Sequence, residues 1–131
     1  MSLQLILTDP STFVPIPLLA PLPGAWQCDL KDDSLTWSRS VFDLFGIPRD
    51  TPIDRRDIVE MYCEESRELL ERLRSEAIAS RGSFTFEARI RRLDGTMRWM
   101  RVTADTLCSN GRVTHLYGQK QDITHLVGGL C

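Results

Sequence analysis

The plainest pattern in the chain is a change of hydrophobic period at Gly82. Across residues 65–80, Leu69, Leu70, Leu73, Ala77 and Ile78 share one face and charges occupy the other, which predicts a helix. Arg81-Gly82 ends it. Phe84, Phe86, Ala88 and Ile90 then alternate with Thr85, Glu87, Arg89 and Arg91, which predicts a strand with one buried face. Asp94-Gly95 predicts a hairpin, residues 97–107 the next strand, Asn110-Gly111 a second hairpin and residues 113–123 the last strand.

Upstream, residues 25–30 alternate as a strand, Lys31-Asp32-Asp33-Ser34 makes a turn, and residues 35–37 form a second short strand. Ser38 is an N-cap whose hydroxyl can accept a first-turn N–H. The helix behind it carries Val41, Phe42, Leu44 and Phe45 and stops at Gly46, with Pro48 beyond. Thr51, Pro52 and Asp54 mark a loop and a new helix start; Ile58, Val59, Met61 and Tyr62 follow on one apolar face. Pro10, Pro15, Pro17, Pro21 and Pro23 interrupt an apolar N-terminal stretch, which excludes a long helix or an inner strand there. The organisation is an N-terminal proline-rich arm over 1–23, a folded domain over 24–124, and a tail or the start of a linker over 125–131. Two strands, short helices and three hairpin-linked strands define an α+β domain with helices on one antiparallel sheet.

Composition narrows the function classes. A length of 131 residues suits one domain, and 42% hydrophobic against 26% charged residues suits a globular one. The formal charge of −2 shows no basic excess for nucleic acid. No apolar run approaches a membrane span, and no basic segment opens a signal peptide. Cys28, Cys63, Cys108 and Cys131 are scattered, with no C-x-x-C and only His115 and His125 to accompany them, so no metal site is expected. Reduced cysteines and no targeting segment suggest the cytoplasm.

The motifs carry a family resemblance. They are G-A-W-Q-C-D-L from Gly24, W-S-R-S-V-F-D-L-F-G-I from Trp37, Tyr62 with Glu65-Ser66-Arg67, F-E-A-R-I-R-R-L-D-G-T-M-R-W-M from Phe86, and G-Q-K-Q-D-I-T from Gly118. In that order and spacing they resemble a PAS domain, a sensory module of bacterial signalling proteins. The R-x-D-G-x-x-R-W hairpin and the closing D-I-T are the most specific. The resemblance implies a five-stranded antiparallel sheet cupping a pocket under short helices. It implies a non-catalytic sensory or dimerising role in signal transduction. The output is then a histidine kinase of a two-component system, a diguanylate cyclase or another effector. No G-G-D-E-F run or kinase signature occurs, so such an effector is expected outside this chain. After D-I-T such domains continue into a signalling helix, whereas Gly128-Gly129 here disfavours one.

Cofactor chemistry finds little support. Cys63 lies near the adduct cysteine of light-sensing PAS relatives, but its neighbours are Tyr62 and Glu64 rather than the asparagine and arginine those need. Ile90, Met100 and Lys120 stand where they place flavin-facing amides. A structural thiol is the favoured reading. Haem-binding relatives supply a histidine from the helix before the third strand, and residues 65–80 contain none. Ser38 and Ser66 have no paired base motif, and Glu64 and Glu65 suit a helix start by the helix dipole alone.

Gly118 faces inward in the family pattern. That parity turns Leu116, Gly118 and Lys120 in, and His115, Tyr117, Gln119 and Gln121 out. The same logic turns in Trp26, Cys28, Phe84, Phe86, Ala88, Ile90, Met100, Val102 and Ala104. These residues form either a ligand pocket or a plain core. Lys120 is the exception, because an ammonium on an apolar face must snorkel, pair or find an anion. One reading is a small anionic ligand at Lys120; the competing one is a rim position where the ammonium reaches water, or pairing with an acidic side chain from the helices. The outward face carries Trp99, Arg101 and Tyr117, with Thr103 and Arg89, and expects cover from the arm or from a second subunit in a homodimer. Two functions remain open: a ligand sensor that regulates an effector, or a PAS-type dimerisation or protein-interaction module with a filled core.

Overall fold

The computed structural model describes residues 22–127. The elements run β1 (Gly24–Asp29), β2 (Ser34–Trp37), α1 (Arg39–Phe45), α2 (Arg55–Glu60), α3 (Glu64–Ser80), β3 (Phe84–Arg91), β4 (Met97–Ser109), β5 (Arg112–Asp122) and α4 (Thr124–Val127). The strands form one antiparallel five-stranded sheet in the order β2-β1-β5-β4-β3. The expected α+β class and hairpin order are what the fold has. The arm falls on residues 1–21, outside the described ones, save for Leu22 and Pro23, which precede β1 as coil.

The hairpins explain the strand ends. Asn110 and Gly111 both take positive φ, at 54° and 77°, which suits a tight two-residue turn. The strands therefore run up to it. β4 reaches Ser109 rather than residue 107 and β5 starts at Arg112, with a bulge at Leu107/Cys108. α1 ends where Gly46 turns left-handed at φ 71° and its N–H bonds back to the Asp43 and Phe42 carbonyls. Asp54 caps α2, accepting the Arg56 N–H at 2.8 Å.

Ser38 departs from expectation. It stands at the N-cap of α1, but its hydroxyl makes no cap bond. It accepts the Ala25 N–H at 3.0 Å, while the Ser38 N–H donates to the Ala25 carbonyl at 2.9 Å. Ser38 follows β2 directly, so it continues the pairing with β1 instead of capping.

The core lies between the sheet and α1–α3. Val41, Phe45, Ala88, Ile90 and Met100 are wholly buried there. The segment between α2 and α3 closes the free edge of β3. Tyr62 bridges to Ile90, the Cys63 N–H donates to the Arg89 carbonyl at 2.9 Å, and the Arg91 N–H to the Met61 carbonyl at 2.8 Å.

Candidate functional site

Strand alternation places all twelve predicted inward residues on the helix side of the sheet. Phe84 and Gly118 are half-buried and the other ten are buried. They do not all share one space. Trp26, Cys28, Phe84, Val102, Leu116 and Lys120 line a cavity of about 40 Å³ under α2 and α3. Phe86, Ala88, Ile90, Met100 and Ala104 are core packing.

Gly118 serves by lacking a side chain. A Cβ there would stand 1.9 Å from the Thr103 carbonyl oxygen. Trp26 pairs across from Gly118, and its indole N–H reaches over to that same oxygen at 3.1 Å. The bare backbone thus lets the indole lie across β5 and form one wall of the cavity.

Lys120 is 8% exposed and neither snorkels nor pairs with an acid. Its Nζ lies 3.0 Å from the Tyr62 hydroxyl. Four ring faces surround it, with centroids at 5.4 Å for Trp26, 5.6 Å for Trp37, 5.0 Å for Phe45 and 5.6 Å for Tyr62. Among the described residues no carboxylate comes within ion-pair distance of it. Burial lowers its pKa from 10.5 to about 7; the Arg55 charge pushes the same way, and Cys28 opposes. The ring faces favour the ammonium. Burial holds the Tyr62 phenol well above its ordinary pKa, so it stays protonated.

Two arginines line the same cavity. Arg55, on α2, pairs with Glu71 of α3, and Arg74, on α3, pairs with Asp33 in the β1–β2 turn at 2.9 Å. Both guanidinium side chains are mostly buried, at 16% and 19% exposure. Burial raises the Cys28 thiol pKa and Arg74 works against it. Sequence reading missed Arg55, Arg74 and the Trp37–Phe45–Tyr62 wall. The signal was present as phase: Arg74 sits in register with Leu70 and Ala77, and Arg55 with Ile58 and Tyr62, so each arginine stands on an apolar helix face.

The other candidates lie elsewhere. Cys63 precedes α3, half-buried, and borders surface grooves rather than the central cavity. His115 faces Asp29 across the β1–β5 pair at 3.6 Å. The Ser66 hydroxyl accepts the Arg89 N–H at 2.9 Å. Cys28, Cys63 and Cys108 form no disulfide. On the outer face Tyr117 and Leu107 are exposed at 42% and 51%. Trp99 is half-buried, with the Arg89 guanidinium 6.0 Å from its ring, and Arg101 pairs with Glu87 at 3.1 Å.

The two most specific motifs meet each other. The Thr124 hydroxyl accepts the Trp99 N–H at 2.9 Å, the Asp122 carboxylate accepts the Thr124 N–H at 2.9 Å, and Arg98 lies 3.6 Å from Asp122. Arg92 reaches back to α1 and donates to the Leu44 and Asp43 carbonyls at 3.1 and 2.7 Å.

A five-stranded antiparallel sheet cupped under short helices, with a lined cavity between, defines the class of fold. Residues 34–119 match the family described as the PAS fold, and the chain belongs to it. It is 30% identical over 104 residues to "Probable diguanylate cyclase DgcE" of Escherichia coli K12, and 30% identical over 101 residues to a blue-light-activated histidine kinase of Brucella anthropi. Those matches take up 79% and 77% of this chain but span only 9% and 20% of the relatives. Among solved structures, the N-terminal domain of a diguanylate cyclase with PAS/PAC sensor from Marinobacter aquaeolei superposes with TM-score 0.73 at 17% identity. That match covers 81% of this chain and 99% of that one. A sensory box histidine kinase/response regulator from Burkholderia thailandensis gives 0.71 at 17%, covering 92% and 90%. No helix among the described residues is long and apolar enough to cross a membrane.

Proposed function

We propose that this chain is a non-catalytic PAS sensor, working in the cytoplasm. It holds a small anion in the cavity at Lys120 and regulates a diguanylate cyclase or histidine kinase effector through rearrangement of a dimer. One observation carries the ligand reading: a buried amine with no acidic partner among the described residues lines a cavity that two arginines also line. Desolvation penalises the ammonium, and a bound carboxylate would offset that penalty inside the same low-dielectric space. The names of the relatives support the choice of effector.

Carboxylate binding is measured by thermal denaturation with formate and acetate, below pH 7, where Lys120 is charged. Wild type is expected to gain stability as the anion rises through its Kd, and Lys120→Met is expected not to respond. Equal responses overturn the reading. The cavity's small volume, about 40 Å³, favours a second reading: a filled-core dimerisation or interaction module. Denaturing mass spectrometry of the purified protein separates the two, since only the sensor releases a small molecule.

A further inference from the structure

The size of the cavity restricts what it can take. About 40 Å³ accommodates a few heavy atoms, which excludes most metabolites. Its reactive atom is Lys120 Nζ, walled by four ring faces and hydrogen-bonded to one neutral hydroxyl. Its burial favours the free amine over the ammonium, although the ring faces themselves oppose this. Arg55 and Arg74 line the same space, their guanidinium groups paired with Glu71 and Asp33. A primary amine out of water, room for a triatomic molecule and two cations suited to a new negative charge meet the requirements of carbamate formation.

We propose that Lys120 is a reversible carbamylation site at which the cavity takes up carbon dioxide. The inference rests on the cavity being the sensing site, and it names the ligand. The Nζ lone pair attacks the carbon of dissolved CO2 and forms the N–C bond. One C=O electron pair moves onto oxygen, giving a carboxylate, and one N–H proton passes to water. Nothing is oxidised or reduced, and protonation of the carbamate nitrogen reverses the step. The carboxylate then stands where the Tyr62 hydroxyl can donate to it and where Arg55 and Arg74 can balance its charge, in competition with Glu71 and Asp33. A neutral cavity wall becomes an anionic one, which pulls on α2 and α3 through their two arginines.

The groups facing Lys120 are Tyr62 from the α2–α3 segment, Arg55 from α2, Arg74 from α3 and Cys28 from β1. Among the described residues no carboxylate pairs with the amine directly; Glu71 and Asp33 are held by Arg55 and Arg74. Acceptance of CO2 should therefore rise with pH through about 7. Binding of a free carboxylate should fall over the same interval, because it needs the ammonium.

The test equilibrates the whole chain with carbon-13-labelled bicarbonate, traps carbamates as esters with a trialkyloxonium salt, and maps peptides by mass. Lys31, exposed in the β1–β2 turn, is the one other lysine of the chain and serves as internal control. Lys31 is exposed and lacks the enclosed cavity, so label on Lys120 should exceed that on Lys31 by at least about tenfold. Equal label on the two, or none on Lys120, overturns the proposal. The comparison is made within wild-type protein, so no variant has to fold. A thermal response to acetate without trapping at Lys120 sinks carbamylation alone. Trapping without an acetate response sinks only the free-carboxylate reading.

Discussion

Lys120 imposes a pH dependence on folding whose sign follows from its burial. In the unfolded chain its pKa is the ordinary 10.5; in the fold it is about 7. Below pH 7 both states bind the proton, and the fold bears the full desolvation penalty. Between pH 7 and 10 the unfolded state holds more protons, so stability rises with pH. Above pH 10 the raised pKa of Tyr62 reverses the trend, since the unfolded chain then loses a proton that the fold keeps. Urea titrations should show wild type gaining up to a few kcal/mol from pH 7 to 10. Lys120→Met should gain much less. Parallel profiles for the two proteins would show that the ammonium is hydrated in the fold. The family pattern, which turns Gly118 inward, made the direction of Lys120 legible through the alternation along β5. Its neighbours were not, because period two states which face a residue takes and not which helix residue lies opposite. Tyr62 owes its place to backbone pairing between the α2–α3 segment and β3, a contact local patterns do not encode.

Between elements, the motif residues act as clasps. Arg92 satisfies carbonyls at the C-terminal end of α1, and so ties the β3–β4 hairpin to the helix that supplies Phe45 to the lysine cage. Thr124 holds both Trp99 backbone groups, receiving its N–H and donating to its carbonyl at 3.3 Å. α4 therefore leaves the sheet in a defined direction. Thr124→Ala leaves that part-buried N–H without its acceptor, at a cost of about 1–3 kcal/mol. Chemical denaturation should show the loss, and hydrogen exchange at the Trp99 amide should speed up with it. A variant as stable as wild type with a protected Trp99 amide would remove the clasp. The hairpins were legible because Asn-Gly and Asp-Gly encode their turns within two residues. Ser38 was misread because capping is a local rule, whereas its hydroxyl answers a strand 13 residues away.

On the scale of the whole molecule, the proposed homodimer would use the outer sheet face. Tyr117 and Leu107 stand exposed beside each other's strands there, while Trp99 is already shielded by Arg89. The expected partner is a second copy, with the N-terminal arm adding its apolar residues to the cover. A stable dimer needs about 1,000 Å² of buried surface in total, so the two exposed side chains would be only part of the proposed interface. The same face is the outer surface of β5, whose inner surface carries Lys120. In the proposed dimer, a charge change in the cavity would cross only one strand to reach the partner. Tyr117→Glu puts a carboxylate into that contact, where a desolvated unpaired charge costs several kcal/mol. Sedimentation should show wild type as a dimer at micromolar concentration, with Tyr117→Glu and a chain lacking residues 1–21 both shifted to monomer. Monomeric wild type at high micromolar concentration, or a Tyr117→Glu dimer of unchanged affinity, would refute this assembly and leave the cavity chemistry to act within one chain.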